Sequence, residues 1–477
     1  MTTFRRRFDR MWENHYPESQ RTSRKETVMR YTNLKLLSLT ALAVGLLGVS
    51  LAKPPAETLH VDAALDRPIV PADREETVVV QIKISPEQLQ HSEERAPVNL
   101  SLVLDRSGSM SGDKIRQAIA AAETALGRLG PKDYISLVIY DDRVETLAPA
   151  QRATSDNIAS IRRAVRGVRS RGNTAIYAGL NQAAAELRRN SERGYINRMI
   201  LLSDGLANEG PSQVADFRAL GHAFATEDIV VSTVGLGLDF NEDIMTTLAE
   251  AGQGNTYFVE NAKDLPRIFA GELGDVLNVV ARDIEIIVRA RDGARIIKSI
   301  GREAEIHDGV ARFHLPQAYG GLDKLALVEV EAPAGGAGKA RDLIEVEVNY
   351  QTMGNEARRQ QQVTVPIAYS ERKEEIREAA RVDVAQNVID NRIAEAKQEA
   401  IVYADNGDYV NAASSMRKSA EKIQNDYAIL GDAFVATPSA ELNREADDVE
   451  TVGLPNQKRK SYRSDSYQIF NQQSESK

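Results

Sequence analysis

The sequence predicts an α/β fold: a mainly parallel sheet flanked by helices, inserted in or flanked by a β-sandwich and followed by a C-terminal helical segment. Three observations carry that expectation. Between residues 98 and 282, short apolar runs alternate with helical patterns. The chain on either side of that block reads as β-strands. Residues 371–430, with no Pro and only Gly407, read as helix.

The first element is a leader, residues 1–52. Leu36 to Ala52 holds 17 uncharged residues, follows Arg30 and Lys35, and ends in Ser50-Leu51-Ala52 before Lys53-Pro54-Pro55. A basic stretch, a short apolar core and small residues at −3 and −1 describe a secretory signal peptide cleaved after Ala52. The run is shorter than the roughly 20 residues a spanning helix needs. If uncleaved, residues 36–52 would anchor the chain in a membrane with the Arg-rich side in the cytoplasm. Either outcome predicts a periplasmic, cell-envelope or secreted protein. Removing residues 1–52 takes away nine Lys/Arg and four Asp/Glu, which moves the formal charge from −9 to −14.

Residues 53–97 form an N-terminal β segment, with strand signals at Leu59–Asp62 and at Thr77–Ile84, the latter rich in β-branched residues. The block 98–282 then alternates. Strands are expected at Val98–Leu104, Ile135–Tyr140, Arg198–Ser203, Ile229–Leu236 and Thr256–Val259. Helices are expected at Ile115–Leu129, Ile158–Val168, Tyr177–Arg188, Val214–Thr226 and Glu242–Ala251. Strands that are apolar throughout are buried on both faces, as in a parallel sheet covered by helices. The first helix shows the pattern: Ile115, Ala118, Ile119, Ala122, Ala125, Leu126 and Leu129 make one stripe, and Lys114, Arg116, Gln117, Glu123 and Arg128 face out. Residues 283–370 return to strands at Ile284–Arg289, Val310–Leu315, Leu325–Glu331, Leu343–Tyr350 and Gln362–Tyr369. A β segment of about 45 residues cannot bury a core alone, so the strands before Val98 should pair with those after Asp283 in one sandwich. Residues 371–430 are expected to form a helical hairpin turning at Asn406-Gly407-Asp408-Tyr409. The polar stretch 431–477, with Lys458-Arg459-Lys460 and a Ser/Gln/Asn-rich end, is expected to be a disordered tail.

Composition removes several functions. An acidic chain lacks the basic face that neutralises phosphates, so no nucleic-acid partner is expected. With no Cys there are no disulfides, thiolate metal sites or catalytic thiols, and six scattered His residues make no HxxxH or HExxH pair.

One loop carries chemistry. The strand Asn99–Leu104 ends in Asp105-Arg106-Ser107-Gly108-Ser109-Met110. A carboxylate and two hydroxyls at alternate positions of a tight loop can point at one ion, and oxygen-only ligands select a hard cation, Mg²⁺ or else Mn²⁺ or Ca²⁺. Open α/β sheets place ligands at such carboxyl ends of strands. Thr174, in Arg171-Gly172-Asn173-Thr174-Ala175, and Asp204, after Met199–Ser203, supply two more oxygen donors at equivalent loop positions. Gly235-Leu236-Gly237 reads as a strand-end turn, Asn241 as a helix N-cap, and Asp141-Asp142 as a solvated hairpin tip. Arg106 reads as a surface residue. Asn208, Glu209 and Gly210 read as rim.

Asp-X-Ser-X-Ser, a distant Thr and a later Asp-Gly after an apolar strand resemble the metal-ion-dependent adhesion site (MIDAS) of von Willebrand factor type A (VWA) and integrin I domains. The stretches Pro97–Leu100, Leu202–Asn208, Thr233–Gly237 and Phe240–Asp243 are similar to bacterial exported A-domain proteins related to inter-alpha-trypsin inhibitor heavy chains. The resemblance implies a Rossmann-like VWA domain over 98–282. It implies that Ser107, Ser109 and Thr174 touch the metal directly and that Asp105 and Asp204 act partly through water, leaving one position open for the Asp or Glu carboxylate of a protein ligand. The expected function is a metal-dependent adhesion or scaffold module, not an enzyme. An adaptor subunit of an ATPase-chaperone system is the alternative, although the chain has no P-loop. A metal-dependent hydrolase is disfavoured, because no general base or nucleophile accompanies the site.

Overall fold

The protein is described by a computed structural model covering residues 58–88, 95–191, 194–353 and 358–473. The leader lies outside the described residues. The chain opens with β1 (Leu59–Leu65), β2 (Ile69–Pro71) and β3 (Glu76–Pro86). The α/β block follows: β4 (Val98–Asp105), α1 (Asp113–Leu126), β5 (Tyr134–Tyr140), β6 (Val144–Arg152), α2 (Ser155–Arg166), α3 (Ile176–Arg188), β7 (Ile196–Ser203), α4 (Val214–Ala225), β8 (Ile229–Leu236), α5 (Glu242–Ala251), β9 (Gln253–Val259) and α6 (Leu265–Val276). Its sheet runs β6-β5-β4-β7-β8-β9. Only the β5–β6 pair is antiparallel. Every residue of β4, β7 and β8 is buried, which explains why these strands read as unbroken apolar runs. The edge strand β6 carries Pro149 and is half-exposed, so its apolar signal is too weak to read from sequence.

The chain then returns to strands: β10 (Val279–Ala290), β11 (Arg295–Ile300), β12 (Glu305–His307), β13 (Val310–Tyr319), β14 (Lys324–Ala332), β15 (Ala340–Thr352) and β16 (Arg358–Ser370). They join the N-terminal strands in two sheets, β1-β3-β14-β11 and β12-β13-β10-β15-β16-β2. The pairing is antiparallel except for β2 against β16. Val80 of β3 sits opposite Val328 of β14, and one apolar core made by Val80, Ile82, Ile286, Val288, Phe313, Val328 and Val346 fills the space between the sheets. The α/β block is therefore inserted in a sandwich. Its two connections meet at one corner. Gly320 N–H donates to Asn278 O at 2.8 Å, and Gly321 N–H donates to Pro86 O at 3.0 Å. A Cβ on Gly320 would lie 2.8 Å from both Glu87 O and Asn278 Oδ1, so only glycine lets the strands close there.

The C-terminal part is α7 (Lys373–Ala379), α8 (Val382–Asp405), α9 (Tyr409–Tyr427), α10 (Asp432–Val452) and α11 (Asn456–Asn471). The expected hairpin turn is present: Gly407 has φ 74°, and Asp408 caps α9 by accepting from Asn411 N–H at 3.1 Å. Val384, Ala385, Val388 and Ile423 pack on Val79, Ile300 and Leu327 of the four-stranded sheet.

The tail corrects the reading from composition, because α10 and α11 are helical where disorder was expected. Leu442, Ala446, Val449 and Tyr462 complete an apolar cluster with Ala396, Ala400 and Met416. The polar residues of α11 are matched in turn by the α/β block and by the end of α8. Arg459 donates to Asp243 and Asp405 at 2.8 and 2.7 Å, Lys460 donates to Phe240 O at 2.5 Å, and Tyr467 donates to Gly254 O at 2.7 Å. A helix whose partners are polar shows little amphipathic signal. Among the described residues, no helix is long and apolar enough to cross a membrane.

Candidate metal and partner site

The five predicted ligands come from three loops at the carboxyl end of the parallel sheet. The first loop leaves β4 at Asp105. Its carboxylate accepts from Ser107 N–H at 2.7 Å, which folds the backbone back over the strand end. A short 3-10 turn, Gly108–Met110, then brings the chain to α1. Gly108 N–H donates to Gly172 O at 3.0 Å, and Arg171 N–H donates to Arg106 O at 2.7 Å, so the second loop is laced to the first. Gly172 has φ 71°, and a Cβ there would lie 2.1 Å from Asp142 Oδ1. Any other residue would be strained at that φ and would have to displace the Asp142 carboxylate. The third loop is tied to the second by Asn208, whose amide oxygen accepts from Thr174 N–H at 2.8 Å.

Side chains then converge. Ser107 and Ser109 hydroxyls are 2.9 Å apart, and Ser109 Oγ donates to Asp204 Oδ1 at 2.6 Å. A Cβ placed on Gly205 would stand 3.2 Å from Thr174 Oγ1 and 3.5 Å from Ser109 Oγ, so both hydroxyls face one spot beside Asp204. Asp105 and Asp204 are fully buried, Ser107 and Thr174 nearly so, and Ser109 is exposed. The cluster is thus a recess whose outer wall is Ser109. Burial pushes the Asp105 carboxyl up to about 6, against the hydrogen bonds from Ser203 and Ser107 and with further upward pressure from Asp204. A carboxylate held at that cost has its charge poorly compensated by protein.

Two further residues belong to the site and were not read as such. Ser203 Oγ donates to Asp105 Oδ2 at 2.6 Å. Lys114, expected to face solvent, instead turns its ammonium onto Asp204 Oδ2 and is only 28% exposed. Lys114 is the second residue of α1, where the helix dipole disfavours a cation. That misplaced charge was the signal available in the sequence. Asp141 is also corrected: it is buried and accepts from Arg106 Nε at 2.8 Å and Arg171 Nε at 2.7 Å. It therefore pins the first two loops rather than capping a solvated hairpin, and Arg106 is buried with it. Asn241 caps α5 as expected, accepting from Asp243 and Ile244 N–H at 3.1 Å.

Two buried carboxylates and three hydroxyls within one recess form a hard, all-oxygen donor set that suits Mg²⁺, Mn²⁺ or Ca²⁺. Among the described residues no group of three or more His, Cys, Asp or Glu is placed to hold a metal, so a cation here depends on the hydroxyls.

Comparison with known proteins agrees with this fold. The von Willebrand factor type A domain profile matches residues 99–271. An uncharacterised protein of Synechocystis is 30% identical over 175 residues, 37% of this chain and 40% of that protein. Mouse inter-alpha-trypsin inhibitor heavy chain H2 is 29% identical over 164 residues, 33% of this chain and 17% of that protein. The match thus takes in less than half the length of these curated relatives. The solved von Willebrand factor type A structure from Catenulispora acidiphila shares the fold, with TM-score 0.60 at 16% identity over 83% of this chain and 96% of that one. The parallel sheet and the matching profile show that residues 99–271 of this chain form a von Willebrand factor type A domain.

Proposed function

We propose that the protein is a metal-dependent binding module: Asp105, Ser107, Ser109, Thr174 and Asp204 hold a divalent cation, and the cation grips an Asp or Glu side chain of a protein partner. VWA domains typically mediate protein–protein interaction and commonly bind a divalent metal at this position. The observation that carries the finer reading is the recess itself, where hydroxyls from two loops and two buried carboxylates face one spot with solvent access past Ser109. A bound Mg²⁺ or Mn²⁺ would act as a Lewis acid there. The chain's own residues put the neutral Ser109 hydroxyl on the solvent side and keep both carboxylates buried behind it, which preserves the cation's pull on an outside anion. The apolar run 36–52 supports an exported location, where a free-standing adhesion or scaffold module meets its partners.

Isothermal titration of the purified chain should show Mg²⁺ or Mn²⁺ binding that Asp105→Ala and Ser107→Ala abolish while circular dichroism stays unchanged. Variants that bind as tightly as the parent would refute the ligand assignment. Pull-down from native envelope, with and without chelator and compared with Asp204→Ala, then tests the partner: recovery that ignores both the chelator and the substitution would show that binding does not use the cation.

A further inference from the structure

We infer that Lys114 makes cation binding conditional on the partner's carboxylate, by placing a fixed positive charge inside the site. The inference rests on the reading of the five residues as a cation site and concerns a residue outside that set.

Asp204 is fully buried, and its two oxygens have different partners. Oδ1 takes the Ser109 hydroxyl at 2.6 Å, whereas Oδ2 takes the Lys114 ammonium. The ammonium is held there. Lys114 springs from the first turn of α1, directly after the Asp105–Met110 loop, and its Nζ lies 3.6 Å from where a Cβ on Gly237 would stand, under the β8–α5 loop. Gly237 has φ 76°, and the lysine end passes this glycine at ordinary contact distance. Partial burial between two loops limits the lysine's alternatives, and an ion pair shielded from water is far stronger than an exposed one.

The formal charges give the consequence. Asp105 and Asp204 contribute −2 and Lys114 +1, so the site without metal is at −1 and a divalent ion takes it to +1. Without Lys114 the same ion would bring the site to zero. Lys114 therefore repels the cation when it binds alone, and leaves the loaded site with a surplus positive charge that an incoming carboxylate neutralises. Metal and carboxylate then bind with positive coupling, each tightening the other by the same factor. Lys114 is a positioning and tuning residue in this scheme, not a metal ligand.

The test is Mn²⁺ titration by calorimetry of the full chain and of Lys114→Met and Lys114→Arg, each in chloride and in excess acetate as the carboxylate probe, at a pH well above the range in which Asp105 titrates. In chloride, Lys114→Met should bind Mn²⁺ roughly tenfold or more tightly than the parent, whereas Lys114→Arg, which keeps the charge, should stay near the parent value. Acetate should tighten Mn²⁺ binding in the parent and in Lys114→Arg more than in Lys114→Met. Equal Mn²⁺ affinity in all three proteins, or weaker binding by Lys114→Met, overturns the role of Lys114 and leaves the cation site standing. Absence of Mn²⁺ binding in all three removes the cation site and this inference together.

Discussion

At the scale of single residues, the informative group is Asp105. Its carboxyl is raised from 3.8 to about 6 by burial, with Asp204 adding to the rise. The native state therefore holds this proton more tightly than the unfolded chain does. Between pH 3.8 and about 6 the folded protein binds more protons, so stability falls as pH rises through that window, and the full penalty stands above it. A shift of this size corresponds to about 3 kcal/mol. In chelator at neutral pH, Asp105→Asn should consequently melt at a higher temperature than the parent, because the amide removes the buried charge and keeps an acceptor for Ser107 N–H. Adding Mn²⁺ should raise the parent's melting temperature and leave the variant where it was. A variant that melts lower than the parent in chelator would show that the Asp105 charge is compensated by the protein. All five candidate ligands were legible in the sequence because alternate spacing in a loop and strand-end positions are local properties. Ser203 was not, since its role depends on which strands are neighbours, a long-range fact; Lys114 gave only the local sign of a cation in a helix's first turn, and its partner Asp204 lies 90 residues away. Asp141 was misread for the same reason: its partners Arg106 and Arg171 are 35 and 30 residues away.

At the scale of elements, the parallel strands were legible because burial on both faces leaves unbroken apolar runs, and the long helix α8 because it lacks Pro and Gly. What escaped was polar docking. Helix α8 meets the sandwich through Arg392, 6% exposed, whose guanidinium reaches Glu329 of β14 at 2.9 Å and also Asp426 of α9. Glu329 is itself nearly buried, and its other cation, Lys422 Nζ, stands 3.9 Å away. Removing Arg392 leaves a buried carboxylate poorly matched, whereas removing both it and Glu329 leaves only the part-exposed Asp426, which keeps Lys422 at 3.2 Å. Arg392→Ala should lower the unfolding free energy by about 3 kcal/mol in urea denaturation. The double variant Arg392→Met, Glu329→Met should lose much less than the single change. A double variant as unstable as Arg392→Ala would mean that the cost lies in packing rather than in the stranded charge. The sequence showed Arg392 only as one charge among many on a helix, and nothing local distinguishes a buried arginine from an exposed one.

At the scale of the whole molecule, three bodies are joined in a closed circuit of buried polar contacts. Arg198, on the central strand β7 and fully buried, donates to Tyr319 Oη of β13 at 2.9 Å and lies 3.5 Å from Glu272 of α6, joining the α/β block to the sandwich. Tyr427 of α9 donates to the buried Asp66 at 3.0 Å, between β1 and β2, joining the helices to the sandwich. Lys460 and Tyr467 of α11 close the loop to the α/β block, and Lys324 of β14 holds the other end of α11 by donating to Asn471 O at 2.6 Å. Pulling any one body away would strand a charge or a hydroxyl in low dielectric, a cost of about 1–3 kcal/mol per group. Several such groups lie at each boundary, so partial unfolding is disfavoured relative to complete unfolding. Calorimetry of the chain from residue 53 onward should therefore give one endotherm, coincident with the loss of near-ultraviolet circular dichroism. Truncation after Gly453, which removes α11 and with it the hydrogen bonds of Arg459, Lys460, Arg463 and Tyr467 to the α/β block, opens the circuit and should separate an earlier transition from the main one. Two resolved endotherms in the untruncated chain would mean that the inserted block unfolds on its own, and that the meeting of its ends at Gly320 is a hinge rather than a weld.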